Sequence, residues 1–196
     1  MNKIINSYTQ YSSINAFVNT VITLIGIYQG KVTVFYIIYL FWFQELIRTI
    51  VDLIICMQKS SGKEEKIKLF RMAFTNGFLL FIYLVFIIVL FGFMLNWGNS
   101  NALAINLTTL IFRNIYFNLN IILFFGVLLY TNRFPKETSI KLEVFNRRHI
   151  LLHISIILGA LIQLSILPRL NVDNSAITSV IVILPFIGLK WFFERE

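Results

Sequence analysis

At 196 residues, 58% hydrophobic and only 13% charged, the chain has about half the charge of a typical soluble domain, which is roughly 25%. A soluble fold of this size could not hide so much Phe, Ile and Leu. The net charge of +8 argues against a nucleic-acid partner, because the basic residues gather in two short connections and not on a face interleaved with aromatics. That placement fits orientation in a membrane, beside anionic lipids.

Six apolar segments can be separated, at about 12–28, 32–57, 72–95, 102–130, 149–170 and 175–193. The N-terminus holds Lys3 and then polar residues up to Asn15. The first apolar stretch, INAFVNTVITLIGIY at 14–28, is short and interrupted by Asn15 and Asn19. The QGKVTVF that follows lacks a small-residue cleavage pattern, so the stretch reads as a retained helix and not a signal peptide. The second segment contains FWFQELIRTIVDLIICM at 41–57. The third, GFLLFIYLVFIIVLFGFML at 77–95, carries no charge, and more than about 18 apolar residues in a row read as a spanning helix. The fourth is long and interrupted by Asn106, Arg113, Asn114, Asn118 and Asn120. Pro168 suits the end of the fifth segment, and Pro185 should kink or end the sixth.

The spacing therefore predicts an all-α polytopic membrane bundle, a single domain over 1–196 with six transmembrane helices. It becomes five if the first segment lies at the interface. Connections 58–71 and 131–148 hold five Lys or Arg each. With six spans, both fall on the side of both termini, and Lys3, Lys190 and Arg195 join them. Only Lys31 and Arg169 fall opposite. This asymmetry places both termini in the cytoplasm. The richness in Phe, Ile and Asn fits a low-GC bacterium, hence a bacterial cytoplasmic membrane.

The chemistry concentrates in the second segment. Glu45, Arg48 and Asp52 are spaced three and four apart, so they share one helical face. One arginine bridging two carboxylates cuts a burial cost of roughly 2.5–3.5 kcal/mol per group, and leaves the ladder one negative charge over. By depth Arg113 could balance it against Glu45, and Asn106, Asn114, Asn118 and Gln163 extend a polar seam. Nearer the cytoplasm, Asp52 and His153 lie at similar depth and could form an acid–base pair. His149 and His153, at i and i+4, could hold a divalent metal only if a carboxylate joined them, and they lack the glutamate of the HExxH signature. A hydrogen-bonded structural histidine is the plainer reading, and a purely structural role for the charge ladder stands beside the functional one.

Smaller signals complete the reading. The single cysteine, Cys56, can form no internal disulfide. NLT at 106–108 matches a glycosylation acceptor but begins inside a span. Trp42 suits packing, Trp97 and Trp191 suit interface anchoring, and Gly159 with Ala160 offers a close-packing spot.

YLFWFQELI at 39–47 and RHILLHISI at 148–156 give the chain a resemblance to a family of uncharacterised bacterial multi-pass membrane proteins. Here Phe43 and Gln44 separate Trp42 from Glu45, a looser tryptophan-to-acid spacing than that family's. The resemblance implies a compact helical membrane fold and no chemistry.

Three functions follow as expectations. The first is a small-ligand or ion binding or transport component, using a seam of Glu45, Arg48, Asp52 and Arg113. The second is an intramembrane enzyme acting on a lipid-like substrate through Asp52 and His153. The third is a structural or assembly subunit. No cofactor is implied. The partners implied are membrane lipids, with a second copy or a membrane subunit possible.

Overall fold

The computed structural model describes residues 17–132, 147–166, 184–186 and 188–189. These residues are all-α. In chain order the helices are α1 (Phe17–Tyr28), α2 (Val34–Lys59), α3 (Lys63–Phe86), α4 (Ser100–Leu110), α5 (Ile115–Asn132) and α6 (Arg147–Leu161). A π-helical stretch, Ile87–Phe93, and a 3₁₀ turn, Met94–Asn96, prolong α3, and a π-helical Ile162–Ile166 prolongs α6.

α2 is the hub. Thr33 starts it as N-cap, accepting the Tyr36 amide, and every residue from Val34 to Trp42 is buried. A helix apolar on all sides belongs in the middle of a bundle, and α3, α5 and α6 all pack on α2. The contacts fix directions. The Trp42 indole donates to the Leu80 carbonyl at 2.7 Å and Phe35 lies against Gly92, so α3 runs antiparallel to α2. Glu45 faces His149 and Ile38 faces Gly159, so α6 is antiparallel too. Tyr36 meets Phe117 and Arg48 meets Phe124, so α5 runs parallel to α2. Phe186, from the C-terminal segment, is fully buried in the same core.

α4 lies across the end of the bundle where α2 begins. Its Asn106 accepts from the Thr33 hydroxyl at 2.7 Å and donates to the carbonyls of Phe91 and Gly92, both at 3.1 Å. A π-helical stretch running into a 3₁₀ turn leaves carbonyls without regular helical donors. Asn106, together with Asn96 on Phe91 at 2.7 Å, supplies the missing donors.

Two helix ends close in the same way. Before α2, Lys31 donates to the Gly26 carbonyl and Gly30 to that of Ile27, with Gly30 at φ 66°. Between α4 and α5, Arg113 donates to Thr108 and Phe112 to Thr109, with Phe112 at φ 57°. Both are Schellman caps, which need one left-handed residue. Asn114 then caps α5, accepting the amides of Tyr116 and Phe117, while its side-chain amide donates to the Lys31 carbonyl at 2.8 Å.

Three expectations change. Among the described residues only two helical runs, Lys63–Asn96 and Ser100–Tyr130, are long and apolar enough to cross a bilayer, against the six, or five, read from the sequence. α1 as described and the apolar part of α6 are short. α2 has the length but carries Glu45, Arg48 and Asp52 within it. The fourth segment is not one helix, because the turn at 111–114 divides Ser100–Tyr130 into α4 and α5. Much of the connection at 58–71 is helix, since α3 starts at Lys63 and only residues 60–62 link it to α2. The termini that were assigned to the cytoplasm lie largely outside the described residues, as do residues 133–146, Arg169, Pro168 and Trp191.

Candidate functional site

The aromatic packing of α2 sets the direction of its polar face. Phe35, Tyr39 and Trp42 stack in succession, with planes within 12° and 7° and centroids 5.4 and 5.7 Å apart. Phe117 of α5 stacks on Tyr39 at 5.1 Å. Together with the indole bond to α3, this fixes the rotation of α2 about its axis. One turn further on, Glu45 turns toward α6 and Arg48 toward α5.

Glu45 is buried, at 8% exposure, and His149 more so, at 2%. The Glu45 carboxylate stands 4.0 Å from Nδ1 of His149, within ion-pair reach and longer than a hydrogen bond. Gln44 is buried beside Glu45. On α3, Asn76 is buried one turn below Leu80, just as Glu45 is about one turn below Trp42. The Trp42–Leu80 bond therefore brings Asn76 to the same level. Gln44, Glu45, Asn76 and His149 form a polar layer where α2, α3 and α6 meet, inside an otherwise apolar core.

The other charged groups stand around this layer. The Arg48 guanidinium lies 4.9 Å from the Phe124 ring centroid, a cation–π contact. Asp52 is half-buried two turns below Glu45. His153 is exposed, with Nδ1 3.5 Å from the Tyr83 hydroxyl and its ring 6.0 Å from the Tyr83 ring.

Neither pairing suggested by depth forms. Arg113 lies exposed in the turn between α4 and α5 and pairs with no carboxylate among the described residues. The break in the fourth segment has moved it from mid-helix to the end of the bundle. His153 and Asp52 lie on opposite sides of the polar layer. With Glu45 level with His149, they are separated by about 17 Å along the axis.

His149 is buried against α2. No group of three or more His, Cys, Asp or Glu able to hold a metal occurs among the described residues. Gln44 and Asn76 carried no recognisable signal, since each is a lone amide in an apolar helix. Asn106 is buried and fully engaged, so in this fold its NLT triplet is packing and not a glycan acceptor.

A second, uncharged polar cluster occupies the junction of α1, α2 and α5. Asn120 donates to the Tyr36 hydroxyl at 2.8 Å and to Thr23 at 3.2 Å, and Thr23 donates to the Asn19 carbonyl. It ties three helices together and contains no titratable carboxylate or histidine.

No curated protein and no solved structure matches the chain. The whole length is nevertheless accounted for at family level: the chain belongs to a family of unknown function (DUF6498), matched over residues 5–195.

Proposed function

We propose that this protein is a membrane-embedded component that binds and passes a small ion, the proton, at the Glu45–His149 layer. The observation that carries this reading is the pair itself, a buried carboxylate facing a buried imidazole at 4.0 Å. Ionisable side chains inside a membrane bundle are costly and mark ion pathways more often than packing. A separation of 4.0 Å also leaves the two groups close enough for one water to bridge them.

The membrane setting is supported by what stays uncovered. Phe70, Phe74, Phe78 and Phe81 of α3 are each more than half exposed, and apolar residues of α1, α5 and α6 are exposed as well. Soluble proteins rarely leave such a belt to water. In this reading the membrane is a bacterial cytoplasmic one, and the turn joining α2 to α3, with Lys59, Lys63, Lys66 and Arg71 around it, faces the cytoplasm. An acid–base enzyme built on Asp52 and His153 is less favoured, because the register separates the two.

Reconstitution tests the proposal. In liposomes holding a pH-sensitive dye, a potassium–valinomycin potential should drive proton entry faster than in protein-free vesicles. Glu45→Gln should abolish the excess while inserting and folding normally. Wild-type entry no faster than the empty vesicles would overturn it and leave the layer a packing device.

A further inference from the structure

We propose that the outward face of α3 and the turn at its foot bind an anionic glycerophospholipid, with the phosphate at Lys63 and Lys66 and an acyl chain along the aromatic stripe above them. The inference rests on the membrane setting of the preceding reading and is independent of the Glu45–His149 layer.

The stripe is defined by spacing and exposure together. Ile67, Phe70, Phe74, Phe78, Phe81 and Val85 follow one another at three or four residues, a straight line up one helical face. They are 52, 61, 68, 58, 59 and 45% exposed. From Ile67 to Val85 the line is about 27 Å long, close to the roughly 30 Å of a bilayer's hydrocarbon core.

Charge marks the foot of the same line. Lys63 is aligned with Phe70 and Phe74, Lys66 flanks it, and both are exposed. The acids of this turn do not cancel them. The Glu65 carboxylate accepts the Ser60 hydroxyl at 2.6 Å, and Glu64 projects about 100° around the helix from Lys63. A cationic site within one turn of the foot of an apolar stripe matches a lipid phosphate below its own acyl chain. A second copy of the chain fits less well. Helices that associate in membranes bring small residues to the contact, and this line is built from phenylalanine.

The test uses the full-length protein in detergent with equal amounts of phosphatidylglycerol and phosphatidylcholine of identical chains, read by native mass spectrometry. Phosphatidylglycerol should be retained several-fold over phosphatidylcholine. K63Q/K66Q should erase that preference while leaving total bound lipid unchanged. F74A/F78A should lower retention of both lipids without altering their ratio. Millimolar glycerol phosphate should displace nothing, and displacement of the lipid by it would mean a free-phosphate site. Equal retention of the two lipids by the wild type would overturn the proposal, as would a lipid-free dimer that F74A/F78A dissociates. A protein that binds neither lipid and stays soluble without detergent would instead refute the membrane setting itself.

Discussion

Asn106 joins α4 to the start of α2 and to the π-helical stretch after α3 through one uncharged side chain, so removing it should be costly. Its amide donates to the Phe91 and Gly92 carbonyls and its oxygen accepts the Thr33 hydroxyl. Asn106→Leu deletes all three bonds. At roughly 1 kcal/mol net per bond the loss is about 3 kcal/mol, and at the roughly 0.6 kcal/mol typical of contacts within membrane bundles it is about 2 kcal/mol. The carbonyl of Phe91 keeps its bond from Asn96, so the burden falls on Gly92 and Thr33. Asn106→Asp keeps an acceptor for Thr33 but sets a carboxylate against two carbonyls, and should be at least as damaging. Asn101→Leu, on an exposed position of the same helix, should stay within about 0.5 kcal/mol of wild type. Reversible unfolding in mixed micelles, titrated with SDS, measures all three. An Asn106→Leu protein as stable as Asn101→Leu would refute the assignment of Asn106 as the donor that completes the π-helical stretch.

Gly159 should tolerate no side chain, since a Cβ there would lie 2.6 Å from Ile38 Cδ1 and 3.0 Å from Phe91 Cε1, both in the buried core. Gly159→Ala should cost about 1–3 kcal/mol by overpacking, and Ile38→Val in the same chain should recover part of it; the same unfolding titration reads both. Gly77→Ala, with open space at its Cβ, is the control that should lose nothing. At Phe112 the left-handed backbone and the ring contacts to Phe43 and Phe117 oppose one another. Phe112→Gly should therefore be more stable than Phe112→Ala by about 1–2 kcal/mol, and equal stabilities would mean the backbone there is unstrained. Cys56 is buried at 8% while Met57 beside it is 37% exposed. A maleimide should label Met57→Cys, in a Cys56→Ser background, faster than it labels Cys56 in the wild type.

The sequence showed where helices would be more clearly than how they meet. The apolar run at 77–95 and the packing role of Trp42 were legible because continuous hydrophobicity and mid-segment position are local signals. Gly30 is the kind of residue that ends a helix, and it does so. Phe112 performs the same task with a side chain that hides the signal, so the fourth segment, though interrupted by polar residues, reads as one span with Arg113 inside it. The N-terminal third of α3 reads as a charged connection because six of the nine residues from Lys63 to Arg71 are charged, although lysine and glutamate also favour a helix. For the candidate site, Glu45 was visible as an expensive charge. Its facing group was not, because an antiparallel contact such as Glu45 with His149 depends on register between helices a hundred residues apart in sequence. Depth counting alone allowed Arg113 against Glu45 and Asp52 against His153, and it could not register the turn at 111–114 or the antiparallel offset that separates them.

The central claim is that Glu45 and His149 act as one unit. The chain has only two histidines, so nitrogen NMR of histidine-labelled protein in lipid nanodiscs resolves both ring systems across a pH series. The account predicts that Glu45→Gln changes the ring-nitrogen signals of His149, which faces Glu45, and leaves those of His153, which faces Tyr83, where they were. Identical His149 behaviour in the two proteins would contradict it, and the polar layer would then be two separate groups that happen to share a level of the bundle.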